Sequence, residues 1–181
     1  VDACGGICLS LSHASYKAIR RYTVAACGLA PVLLDAEGRT VPGGGRDPLQ
    51  AVAPVMRLRR HALAESVRWG EPYLFLLADG IVSWVVALVD GERVAGGLCG
   101  GEAASADDPP DAAAAARNLD EWGRDRDALL RHFARLPLWP HPRFREASEK
   151  LWETVYAVTG WRPDLLLRNR ANAAQQRQIA E

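Results

Sequence analysis

The sequence has no excess charge of either sign, no long hydrophobic run and few cysteines. Its 181 residues carry 22 Lys and Arg against 22 Asp and Glu, so the formal net charge is zero. A neutral chain has no overall field that would draw it onto nucleic acid or an anionic membrane. No apolar run approaches the roughly 20 residues that cross a bilayer, and residues 1–6 lack the basic start of a signal peptide. We therefore expect a cytoplasmic protein that contacts neither nucleic acid nor membrane directly.

The four cysteines, Cys4, Cys8, Cys27 and Cys99, lack the density and regular spacing of a disulfide-stapled secreted domain. Cys4 and Cys8 have a C-x3-C spacing that would supply two zinc ligands if His13 and Cys27 supplied the others. A second matching pair is missing, so we predict no metal site. Cys27 and Cys99 are interpreted as small buried apolar residues. Whether the cysteines bind metal or sense redox stays open at this point.

Helical periodicity and capping signals predict five helices. Glycines end three of them, at Gly28, Gly70 and Gly160. Asp47 and Pro48 have the residue types of an N-cap and a first helical residue, with Pro54 perturbing the first turns. The last helix has no stop signal, and we interpret it as cut before a further module. The predicted helices span residues 9–27, 47–69, 111–136, 142–159 and 163–181.

Three strand-like runs, 73–77, 81–89 and 92–99, follow each other in the centre of the chain. Asp90 and Gly91 join the last two and are typical of a two-residue hairpin turn, which predicts antiparallel pairing. Both alternating sets of side chains in 81–89 are apolar, so helices should cover one face and a helix or a second subunit the other. The sequence therefore predicts an α+β fold with a central antiparallel sheet of about five strands flanked by helices.

Residues 97–101 match G-x-C-x-G, a nucleophile elbow with cysteine in place of serine. Such an elbow needs a helix directly after its strained turn, but a short, proline-rich linker follows here. His132 and His141 are the candidate bases. We predict no catalytic residue and no enzyme, and we keep a Cys99 enzyme or redox sensor as the alternative. A ligand-free dimerisation module is a further alternative.

The chain resembles the PocR-type sensory domain. The resemblance rests on glycine and turn patterns between Asp47 and Glu102, and on a helix-to-strand segment before them. The matching segments are 58–62 (LRRHA), 69–73 (WGEPY), 80–82 (GIV), 89–92 (VDGE) and 96–102 (GGLCGGE), together with 27–32 (CGLAPV) and 35–39 (DAEGR). The resemblance implies a PAS-like sensor for a small molecule, attached to a bacterial DNA-binding domain or histidine kinase.

From these observations we expect a sensory domain over residues 1–162 and a C-terminal signalling helix over 163–181, leading to an output module. A small organic ligand should bind between the sheet and the second helix, shift the populations of two packings, and be reported by the terminal helix. The cofactor is unknown, and a homodimer is expected. The predicted ligand-binding residues are Met56, Arg57, Phe75, Ser83, Trp84 and Cys99, with Arg57 holding an anionic or hydroxyl group.

Overall fold

The computed structural model describes residues 11–50, 52–111, 122 and 126–180. Cys4, Cys8 and half of the predicted helix 111–136 lie outside them. The described part contains five helices and five strands and confirms the predicted α+β class. In chain order they are α1 (His13–Cys27), β1 (Val32–Leu34), α2 (Ala53–Trp69), β2 (Tyr73–Ala78), β3 (Ile81–Asp90), β4 (Arg93–Ser105), α3 (Arg126–Phe133), β5 (Leu138–Trp139), α4 (His141–Thr159) and α5 (Asp164–Ala180).

The strands form one sheet in the order β1-β4-β3-β2, with neighbouring strands antiparallel. The predicted hairpin is confirmed, since Asp90 pairs with Arg93 across a turn in which Gly91 has a φ of +61°. A positive φ is strained for residues with a side chain, which is why glycine suits this turn. Strand β5 differs from the expectation, because its two residues pair with the end of β4 in parallel.

Helices of the same chain cover both faces of the sheet, which explains why both sets of side chains in β3 are apolar. One set, including Trp84, packs with α1 and α4. The other set, including Val85, packs with α2 and α5, and α3 adds a smaller cluster around Ile81. Trp84 lies directly over Gly100, where an added Cβ would come within 1.7 Å of the indole Nε1. The glycine-rich part of β4 thus makes room for an indole of this chain.

Helix α2 begins five residues later than predicted, at Ala53 instead of Pro48. Its N-cap is Val52, and Pro54 lies in the first turn. Proline has no N–H to donate, so a helix accepts it at its start and not further inside. Asp47 is therefore not the N-cap of this helix: its carboxylate accepts a hydrogen bond from the Leu49 backbone N–H and points into the interior.

Helix α5 is attached to two parts of the domain. At the β3–β4 hairpin, the Gly91 N–H donates to the carbonyl of Arg162, and the Gly91 carbonyl accepts from the N–H of Leu165 in α5. The Glu92 carboxylate accepts two hydrogen bonds from Arg168 of α5. At the end of α2, the carbonyl of Gly70 accepts a hydrogen bond from Arg170. The approach is close, since a Cβ on Gly70 would lie 1.9 Å from the carbonyl oxygen of Leu166. The role of α5 in signalling stays a prediction.

No helix within the described residues is long and apolar enough to span a membrane.

Candidate functional site

Three buried charged side chains meet at one end of the sheet, and we call them the Arg59 cluster. Arg59 comes from α2, Asp47 from the loop before it and Glu102 from β4. The side chains are 1%, 1% and 9% exposed, respectively. Arg59 binds Asp47 with both terminal nitrogens, at 2.5 and 3.0 Å, and its Nη2 lies 3.5 Å from Glu102 Oε1. The cluster therefore joins three segments that are distant in sequence.

The electrostatics of the cluster favour the charged forms of Arg59 and Asp47. Burial alone would raise the pKa of Asp47, but hydrogen bonds and charge from Arg59, with smaller contributions from the Thr40 hydroxyl and the Leu49 N–H, hold it below its ordinary value. Burial alone would lower the pKa of Arg59, but the hydrogen bonds and charge of Asp47, together with the charge of Glu102, raise it above its ordinary value. Two carboxyl groups thus share one guanidinium.

A cavity of about 620 Å³ is lined by Asp47 and Glu102 of the cluster, together with residues of neighbouring segments. Its walls come from the segment before β1, the loop before α2, the end of β4 and helix α3. The volume lies within the range of pockets that bind small molecules. His132 of α3 reaches over the floor, with its Nε2 atom 3.4 Å from Glu102 Oε2. That nitrogen is buried and forms no hydrogen bond with the described residues.

The residues predicted from the sequence are placed on both faces of the sheet. Ser83 and Cys99 are brought together on the α2 face, with Oγ and Sγ 3.3 Å apart. Trp84 is buried on the opposite face, against α4. The other three are Phe75 and Met56, which are half-buried, and Arg57, which is exposed. None of the six lines the cavity over the Arg59 cluster, and their role in ligand binding stays a prediction.

Sequence reasoning assigned no functional role to Asp47, Arg59 or Glu102, and it named His132 only as a candidate base for Cys99. A signal for Arg59 was present in the helical periodicity. The other buried residues of α2 are Val55, Ala62, Leu63 and Ser66, so Arg59 occupies a position on the buried stripe. An arginine on an apolar stripe needs a buried anionic partner, because an unpaired buried charge is unstable. This pattern indicates that a buried anionic partner exists, but it does not indicate which residue that partner is.

Cys99 lacks the geometry of a nucleophile elbow. It lies in the middle of β4, paired with Val32 on one side and Val85 on the other. Burial raises the pKa of its thiol, although the charge of Arg59 counteracts this in part. A reactive cysteine is instead accessible and has a lowered pKa. Among the residues that the structure describes, no group of three or more His, Cys, Asp or Glu side chains is arranged to hold a metal ion.

A family model described as "Sensory domain found in PocR" matches residues 57–159. The match covers more than half of the chain and includes most of α2, strands β2 to β5 and all of α4. It begins after Asp47 and ends before α5. No curated protein and no solved structure matches the chain.

Proposed function

From the premise that the chain belongs to the PocR family of sensory domains, we propose that it binds a small organic molecule in the cavity over the Arg59 cluster. The binding event would be passed to the output domain of a bacterial transcription regulator or histidine kinase. In this function the chain is a sensor and not an enzyme.

The observation that carries the proposal is the burial of the Arg59 cluster at the floor of an open cavity. Taking charged groups out of water costs several kcal/mol per ion, and well-packed apolar residues are often at least as stabilising. Asp47 and Glu102 of this cluster line the cavity. A buried charged cluster that lines a cavity is a candidate for recognition of a ligand. The carboxyl oxygens accept hydrogen bonds, and Arg59 holds Asp47 in a fixed orientation.

Helix α2 gives a route from the cavity to α5. Arg59 lies in the N-terminal half of α2, and the other end of the helix contacts α5 through the carbonyl groups of Val67 and Gly70. A ligand that binds one position of α2 more tightly than another shifts the population of that position. The contacts with α5 would then carry the shift to the C-terminal helix.

We also propose that the domain acts as a homodimer. The apolar character of the sheet first suggested a subunit interface there, but helices of the same chain cover both faces. A ligand-free module that dimerises through the sheet has no uncovered face to use. Sedimentation of the full chain measures the oligomeric state, and a monomer at all concentrations would contradict the dimer.

Native mass spectrometry of the purified chain tests the ligand-binding function. We expect the wild-type protein to retain a small molecule from its expression host, and the Glu102→Gln variant to lose it. Glu37→Gln is the matched control, because Glu37 is an exposed glutamate outside the cavity. Equal retention of a molecule by all three proteins would contradict binding over the Arg59 cluster. The absence of a retained molecule would contradict it when added compounds also fail to bind in titrations.

A further inference from the structure

We infer that the ligand is a small hydroxycarboxylate, whose carboxylate binds three arginines at the cavity wall and whose hydroxyl group faces Glu102. This inference names the chemical class of the ligand and rests on the proposed function.

Three arginines, Arg46, Arg131 and Arg135, line the cavity, and we call them the arginine rim. All three are exposed, and none forms an ion pair with the described residues. The other exposed arginines that the structure describes include some with a carboxylate partner and some without one: Arg20, Arg21, Arg57, Arg93, Arg143 and Arg145 form no ion pair with the described residues either. Those with a carboxylate partner are Arg39, Arg60, Arg68, Arg162, Arg168 and Arg177.

Guanidinium groups that have no carboxylate partner among the described residues favour an anion when they line one concave site. The planar fork of arginine matches a carboxylate with two parallel hydrogen bonds, and such charged bonds are stronger than neutral ones. The positive charge is local, since the whole chain has a net charge of zero. It lies in a cavity of about 620 Å³, which suits a small molecule better than the extended surface of a nucleic acid.

The floor of the cavity carries carboxylates, in contrast to the positively charged arginine rim. Asp47 already accepts hydrogen bonds on both oxygens, from Thr40, Leu49 and Arg59. Glu102 Oε2 accepts none from the described residues, although His132 lies 3.4 Å away. A free carboxylate oxygen repels an anion and binds a hydrogen-bond donor. A ligand that satisfies both ends of the cavity therefore has a carboxylate for the rim and a hydroxyl group for the floor.

Isothermal titration calorimetry with matched pairs of compounds tests this inference. The probes are lactate, glycerate and malate, each measured beside its amide, in which every carboxylate is replaced by a neutral carboxamide. We expect at least one acid to bind at least about tenfold more tightly than its amide, as the loss of a charged hydrogen-bonded pair predicts. Arg131→Gln and Arg135→Gln should each weaken binding of the acid by about tenfold. Their binding of the amide should be unchanged.

Arg93→Gln is the matched control, because Arg93 is an exposed arginine at the β3–β4 hairpin and does not line the cavity. Amides that bind as tightly as the acids would overturn the inference but leave the proposed function standing. If the wild-type protein retains a neutral molecule in native mass spectrometry and binds no acid, the inference is likewise overturned and the proposed function stands. Absence of both binding and a retained molecule would overturn the inference and the proposed function together.

Discussion

Replacing Arg59 with methionine removes the guanidinium that contacts both buried carboxyl groups, while keeping a long side chain in its place. Arg59 is 1% exposed and binds Asp47 through two hydrogen bonds. Removing one partner of a buried ion pair costs about 3–5 kcal/mol, because the other charge stays buried without compensation. For a domain of this size each kcal/mol lowers the melting temperature by about 2–4 °C, so we expect a drop of roughly 6–20 °C.

The destabilisation caused by Arg59→Met should depend on pH, and the direction of that dependence follows from the pKa of Asp47. In the wild-type protein the pKa of Asp47 is lowered, so this carboxylate stabilises the fold above the pKa of the unfolded chain, about 3.9, and the stabilisation is lost as the pH falls below that value. In Arg59→Met the remaining effect of burial raises the pKa of Asp47. Protonation then relieves the buried charge. The difference in unfolding free energy between wild type and variant should therefore shrink from pH 7 to pH 5.

Urea unfolding at the two pH values measures this difference. Arg60→Met is the control, since Arg60 is the next residue on the same helix, is 61% exposed and lies 3.8 Å from an exposed glutamate. Exposed pairs of this kind contribute about 0–1 kcal/mol. The reasoning would be refuted if Arg59→Met lost no more unfolding free energy than the control. It would also be refuted if that loss of unfolding free energy grew as the pH fell to 5.

Three further predictions concern other parts of the fold. Gly100→Ala should lower the unfolding free energy by about 3 kcal/mol in urea titrations, because the new Cβ would lie 1.7 Å from Trp84 Nε1; a neutral substitution would contradict this packing. Burial raises the pKa of Tyr156 to about 12, so the ultraviolet absorbance of the native protein should show one tyrosine ionising near that pH. Tyr156→Phe should remove this step and cost about 1–3 kcal/mol, since two buried backbone partners lose their hydrogen bonds. Iodoacetamide should modify half-buried Cys27 in the native protein but Cys99 only after unfolding, and rapid native alkylation of Cys99 would favour the redox alternative.

The parts of the fold that the sequence predicted depend on signals within a few residues. The Asp90–Gly91 turn fixes the β3–β4 hairpin, because its backbone conformation suits the twist of two antiparallel strands. Helices α1, α2 and α4 end at the predicted glycines, Gly28, Gly70 and Gly160, each with a positive φ. A helix terminus needs only a local change in backbone conformation, so local sequence is sufficient to predict it.

The Arg59 cluster depends on pairs that no local window contains. Arg59 is 12 residues from Asp47 and 43 residues from Glu102 in sequence. Asp47 also carries a misleading local signal, since an aspartate before a proline is a typical helix start. Pro54 decides the true start, and it leaves Asp47 available for the interior. The sequence predicted a cavity of some kind, but the charges around it come from segments that only the fold brings together.

If a ligand binds in the cavity as proposed, the position of α2 would connect its binding to the C-terminal helix. Arg59 and Gly70 are 11 residues apart on or at the end of one helix, which corresponds to about 16 Å along its axis. A helix of this length moves as a nearly rigid body, so a displacement at Arg59 is felt at Gly70. The end of α2 has no space to absorb it, because Gly70 already lies against the backbone of Leu166 and Arg170. A ligand that moves Arg59 must therefore either move α5 or break its contacts with α2, and both outcomes change the presentation of the C-terminal helix.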